Sequence, residues 1–141
     1  MELKQLAGYL RYGLKMYYAL SDDTWILNID NIDCITKHDK PILRPLSDLT
    51  KEICYGLSTY VFTGLFEIGD YDGCIFEFEH GNIKTIKLLE YISKNNSHSD
   101  IDYLPHAVVS MMYEHHFDIH GLIEKGEAID INTLPNVNQS N

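Results

Sequence analysis

A chain of 141 residues, 45% hydrophobic and 23% charged, can fold around one core without metal or disulfide staples. Its formal net charge of −10, from 21 acidic against 11 basic residues, argues against holding phosphate backbones, because few cations are available to replace the released counterions. No apolar run is long enough for a membrane helix, and "MELKQLAGYLRYGLK" lacks the apolar stretch and cleavage site of a signal peptide, so a cytosolic protein is expected.

In chain order, Leu3, Leu6, Ala7 and Leu10 share one helical stripe and predict a first helix that Gly13 closes. "LKMYYAL" and "TWILNID", separated by "SDD", predict a hairpin, with Trp25, Leu27 and Ile29 on one face of the second strand. Pro41 and Pro45 bracket a short extended piece, followed by a helical turn over "LSDLTK" with Ser47 as candidate cap. From Ile53 to Phe78 the chain is aromatic and β-branched, broken at Gly56, Gly64, Gly69 and Gly73. It predicts several short strands, "CIFEFE" the clearest.

The period then becomes helical over "NIKTIKLLEYISKN", where Ile86, Leu89 and Ile92 with Leu88 form the stripe. Asn82 is the candidate cap and Asn95–Asn96 the stop. "NSHSD" is a linker. Asp102 should cap a last long helix, "YLPHAVVSMMYEHHF", with Pro105 in its first turn and Leu104, Val108, Met111, Met112 and His115 on one side. The sum is an α+β fold: a small antiparallel sheet packed with three to four helices, one domain over 1–135, then a polar tail over 136–141. Cys34, Cys54 and Cys74 are odd in number and form no CxxC pair, which predicts free thiols rather than a disulfide framework or zinc ribbon.

Five of the seven histidines lie between His98 and His120, so metal binding has to be weighed. If "HFDIH" were a strand, His116, Asp118 and His120 would alternate onto one face and form an open triad. A capped helix explains more residues. The Asp118 carboxylate can accept from backbone N–H groups at a helix start. "IHGLIEKG" would then make two turns with Ile119, Leu122 and Ile123 inward and His120, Glu124 and Lys125 outward. Phe117 and Leu122 would pair as a hydrophobic staple, and Gly126 would close the helix in a left-handed conformation. "AIDIN" follows as a strand. The cap is the favoured reading, which leaves the histidines without a common focus and calls for no cofactor.

Between Lys51 and Lys84 there are six acids, Glu52, Glu67, Asp70, Asp72, Glu77 and Glu79, and no Lys or Arg. Tyr71 and other aromatics stand among them. Acids interleaved with aromatics do not suit single-strand nucleic acid, which needs a cationic groove. They suit a basic protein partner, for which Glu67, Asp70, Tyr71, Asp72, Glu77 and Glu79 are the candidate contacts. No glycine-rich phosphate loop, nucleophile elbow or HExxH is present.

"KPILRPLSDLTKEI" (40–53) and "HFDIHGLIEKGEAIDINTL" (116–134) resemble stretches shared by small uncharacterised proteins of bacteriophage and prophage genomes. "YLRYGLK" resembles their N-terminal segment. The family's pattern in the second stretch is HFD, two variable residues, GLI, KG and AIDINTL. It is matched at His116, Phe117, Asp118, Gly121 to Ile123, Lys125, Gly126 and Ala128 to Leu134. His120 falls at a variable position. The resemblance spans about a third of the chain and implies an origin rather than an activity.

The leading expectation is a non-enzymatic phage or prophage accessory protein, acting in the host cytosol on a host protein, such as a nucleic-acid-binding defence protein. One alternative sequesters a small nucleotide signal between the sheet and the helix from Leu104 to His115, with Arg11, Lys15, Arg44 and Lys51 converging there. The other is a metal-dependent hydrolase using His116, Asp118 and His120.

Overall fold

In the computed structural model, which describes residues 2–55, 57–66, 70–71, 74–75 and 82–134, the N-terminal segment coils as two 3₁₀ turns, Leu3–Gln5 and Ala7–Tyr9. One α-helix was expected there. A 3₁₀ turn has three residues per revolution, so Leu3, Leu6 and Tyr9 fall in one row; Leu6 and Tyr9 are fully buried, and Leu3, at the outer end of the row, is 54% exposed. The hairpin forms as expected from β1 (Lys15–Tyr18) and β2 (Asp23–Ile26), in register Met16 opposite Trp25. Leu27, just beyond β2, is buried, but Ile29 points to solvent.

Strand β3 (Asp39–Leu43) pairs antiparallel with β1, placing Pro41 opposite Met16. It leads into a 3₁₀ helix, Leu46–Thr50, whose cap position is Pro45 rather than Ser47, with no side-chain cap bond. Strands β4 (Glu52–Tyr55) and β5 (Ser58–Val61) form a separate hairpin. The next aromatic stretch, Phe62–Phe66, is a 3₁₀ helix rather than a strand, which turns both phenylalanines into the core. The two-residue strands β6 (Asp70–Tyr71) and β7 (Cys74–Ile75) pair antiparallel; the rest of "CIFEFE" lies outside the described residues.

Helix α1 (Asn82–Asn95) matches its expected bounds and buries Leu89 and Ile92, with Asn96 taking φ +50° at its exit. A six-residue 3₁₀ helix, His98–Tyr103, replaces the expected linker. It also claims Asp102, so α2 (His106–Glu114) starts later than expected, with Pro105 at the cap. Pro105 lacks an N–H and restrains Leu104 to extended backbone, which separates the two helical pieces. Strand β8 (Ile129–Asp130) then pairs parallel to β3 and completes a four-stranded sheet in the order β2-β1-β3-β8. The architecture is α+β, a mainly antiparallel sheet with helices, as the residue patterns predict.

Two clusters of buried side chains hold these elements. One packs α1 and α2 with the 3₁₀ helices through Leu49, Phe62, Phe66, Leu89, Ile92, Val108, Met112 and Phe117. The other packs the sheet through Leu6, Tyr9, Leu14, Met16, Leu27, Leu43 and Leu122. Each such fully buried side chain contributes about 1.5–3 kcal/mol. Tyr113 touches both clusters. Residues 115–119 pass from α2 towards the second cluster, so the histidine segment lies at a junction within the core.

Candidate functional site

The corner after α2 is built around His116, a non-glycine residue at φ +63°. Its Nε2–H donates to the Tyr12 carbonyl at 2.7 Å. Its own carbonyl accepts from the Arg44 N–H at 2.8 Å, and the Asp118 N–H returns to the Arg44 carbonyl at 2.8 Å. The two bonds make Arg44 and Phe117 a parallel bridge that extends β3 past Leu43. His115 donates from Nδ1 to the Met111 carbonyl at 2.7 Å. Tyr9, fully buried, gives its hydroxyl proton to the Phe117 carbonyl and accepts from the Ile119 N–H at 3.2 Å. Backbone groups at a buried corner must find partners, and here side chains from the far end of the chain supply them.

Asp118 is 2% exposed. Its Oδ1 accepts from the Leu122 N–H at 2.8 Å and its Oδ2 from the Ile123 N–H at 3.0 Å. The carboxylate therefore takes backbone donors as a cap does, but the expected two-turn helix does not form. Gly121 at φ +71° interrupts it, and the residues form successive turns. The closing half of the expected motif is present. Gly126 has φ +73°, its N–H reaches the Ile123 carbonyl at 3.1 Å, and the Glu127 N–H reaches the Leu122 carbonyl at 2.9 Å, the paired bonds of a Schellman closure. The expected staple is absent, since Phe117 belongs to the first cluster and Leu122 to the second.

The three residues of the metal alternative thus face different partners. His116 binds Tyr12, Asp118 binds the 122–123 backbone, and His120 Nε2 meets the Tyr113 hydroxyl at 3.0 Å. Among the described residues no three His, Cys, Asp or Glu are grouped so as to hold a metal ion. Burial pushes the His116 pKa down to about 4, the Tyr12 hydrogen bond opposing and the Arg44 charge assisting. Burial also lowers His115 and His120, with Asp118 opposing it at His120. All three imidazoles are therefore held towards the neutral form.

His120, half-buried rather than outward, borders a cavity of about 500 Å³ with His98, His106, Asp102 and Tyr113, walled by apolar residues such as Ile101 and Val109. Among the described residues His98 Nε2 is buried there without a hydrogen-bond partner, 3.9 Å from Asp118 Oδ2. Nothing local in the sequence marks this set. His98 and Asp118 are twenty residues apart and meet only because the 3₁₀ helix His98–Tyr103 crosses the 119–123 turns.

The four cations of the nucleotide alternative do not line that cavity. Arg11 is exposed and Lys15 half-buried. Arg44 and Lys51 instead share a second cavity of about 330 Å³ with Asp48, Glu52 and Asn132. Of the expected partner contacts, Asp70 and Tyr71 lie in β6 and pair with β7. Glu67, Asp72, Glu77 and Glu79 fall outside the described residues. Among the described residues no helix is long and apolar enough to cross a membrane. No protein-family model, curated protein or solved structure matches the chain.

Proposed function

We propose that the chain is a phage or prophage accessory protein that works in the host cytosol by binding a basic host protein, with a nucleic-acid-binding defence protein as the target. The observation that supports this reading best is the use made of the histidine segment. Its Asp118 and His116 side chains are committed to the protein's own backbone, which is the work of a scaffold. What remains for function is the outer surface of a chain that carries 21 acids against 11 basic residues. Acidic surfaces steer basic partners and compete with phosphate backbones for the same Lys and Arg side chains.

Capture from host lysate on immobilised protein tests this. The expected result is a small set of basic, nucleic-acid-binding proteins retained at low salt, displaced at high salt, and lost when Glu67, Asp70, Asp72, Glu77 and Glu79 are changed to their amides. Capture that is indifferent to both salt and the amide substitutions, or no capture at all, overturns it.

A further inference from the structure

We infer that the open edge of the four-stranded sheet, strand β2, is a docking ledge for an extended basic segment of a partner protein. β2 stands at the end of the order β2-β1-β3-β8, so among the described residues one side of its backbone is unpaired. The Leu27 N–H donates to the Leu14 carbonyl at 2.8 Å, and Met16 lies opposite Trp25. Hydrogen-bonded and non-bonded pairs alternate along an antiparallel ladder. Asp23, Trp25 and Leu27 therefore bond to β1, and Thr24 and Ile26 turn their N–H and C=O groups outward. Asn31 Nδ2 donates to the Ile26 carbonyl at 2.9 Å. The Thr24 N–H, the Thr24 carbonyl and the Ile26 N–H have no partner among the described residues. These three groups can seat one short strand.

The side chains around them select its chemistry. Ile26 is 48% exposed, with Leu20 at 66% and Ile29 at 69% on either side of it in the chain. From Met16 to Thr36 there is no Lys or Arg, while Asp22, Asp23, Asp30 and Asp33 are exposed. Lys15, opposite Ile26 in β1, sets one half-buried ammonium against these four carboxylates. Carboxylates guard an edge against its own copies, since a second copy would double them along one seam. A guard needs no large apolar side chains, yet Leu20, Ile26 and Ile29 stand among them. The combination fits a segment in which apolar residues alternate with Lys or Arg. Added strands gain affinity through the backbone and specificity through alternate side chains. Period-two alternation puts the apolar side chains of such a segment beside Ile26 on one face and its cations beside Asp23 on the other. The inference deepens the proposed binding to a basic partner by giving that partner a contact separate in sequence from the acids of 67–79.

Titration of the protein with a capped peptide of alternating Val and Lys, about eight residues long, tests this by NMR at the Thr24 and Ile26 amides. Saturable binding with Kd on the order of 1 mM is expected, with hydrogen exchange at both amides slowed about tenfold at saturation. An alternating Val–Glu peptide and a fully N-methylated Val–Lys peptide should not bind. Thr24→Pro removes an outward N–H and no bond to β1, and should abolish binding. Asp23→Asn combined with Asp30→Asn should weaken it about fivefold. The inference is overturned by the absence of saturable binding or by equal affinity for either control peptide. Full affinity in Thr24→Pro with the Met16–Trp25 pairing intact overturns it as well. A concentration-dependent dimer that Thr24→Pro dissolves also overturns it, by giving the edge to a second copy. No host protein enters the titration, so its failure is distinct from a failed capture from lysate.

Discussion

His116 shows how one residue can tie a proton to the stability of the fold. Its imidazole is neutral because burial outweighs the Tyr12 hydrogen bond and depresses the pKa to about 4. In the unfolded chain the ring titrates near about 6.5. Between these values the unfolded state binds the proton and the folded state does not, so stability falls as pH drops through that window and levels off below about 4. The contribution is on the order of 3 kcal/mol. Urea denaturation from pH 7 to pH 4 should show this loss, and His116→Asn should reduce the slope, since asparagine tolerates positive φ, while the lowered His115 and His120 leave a residual slope. An unchanged slope in the variant would place the acid sensitivity elsewhere. No local signal in the sequence marks the left-handed backbone of His116 or the Tyr12 partner, which comes from 104 residues away.

At the scale of elements, β3, the 3₁₀ helix Leu46–Thr50 and the segment 115–134 act as one unit. They meet at the Arg44–Phe117 bridge, the β3–β8 pairing and the Asp48–Asn132 hydrogen bond. These are the two stretches, 40–53 and 116–134, that stand out in the sequence. Asp118 is the link: it holds the 122–123 turn by its carboxylate and β3 by its N–H. Asp118→Ala leaves one buried and one part-buried N–H group without acceptors and should cost about 2–4 kcal/mol; Asp118→Asn, which keeps one acceptor, should cost about half of that. Denaturation midpoints measure both, and an Asn variant as unstable as the Ala variant would mean that charge rather than acceptor geometry is what matters. The carboxylate's role was legible because capping residues and closing glycines are local signals. The loss of the helix was not, because Gly121 breaks it by taking φ +71° where the turn packs against the His98 ring, a contact between distant segments that no local signal marks.

For the whole molecule, charge is the dominant property. A net −10 favours solubility and steering but adds self-repulsion to the folded state. Screening it should therefore stabilise the protein: raising NaCl from about 20 to about 300 mM should lift Tm by about 2–4 °C at pH 7. A fall in Tm would instead point to net favourable ion pairing. The same salt should weaken capture of a basic partner, so fold and binding should respond to ionic strength in opposite senses.

By itself, the sequence determined the charge, the α+β composition, the β1–β2 hairpin, helix α1 and the use of Asp118 and Gly126 as local stops. Each of these rests on periodicity or on contacts within a few residues. Only the tertiary structure decided that the N-terminal stripe would coil as 3₁₀ turns around Tyr9, that Phe62–Phe66 would leave the sheet, and that His98 would come to Asp118. It also set Arg44 and Lys51 on one cavity away from Arg11 and Lys15. These outcomes depend on which distant surfaces bury one another, and no window of neighbouring residues contains that information.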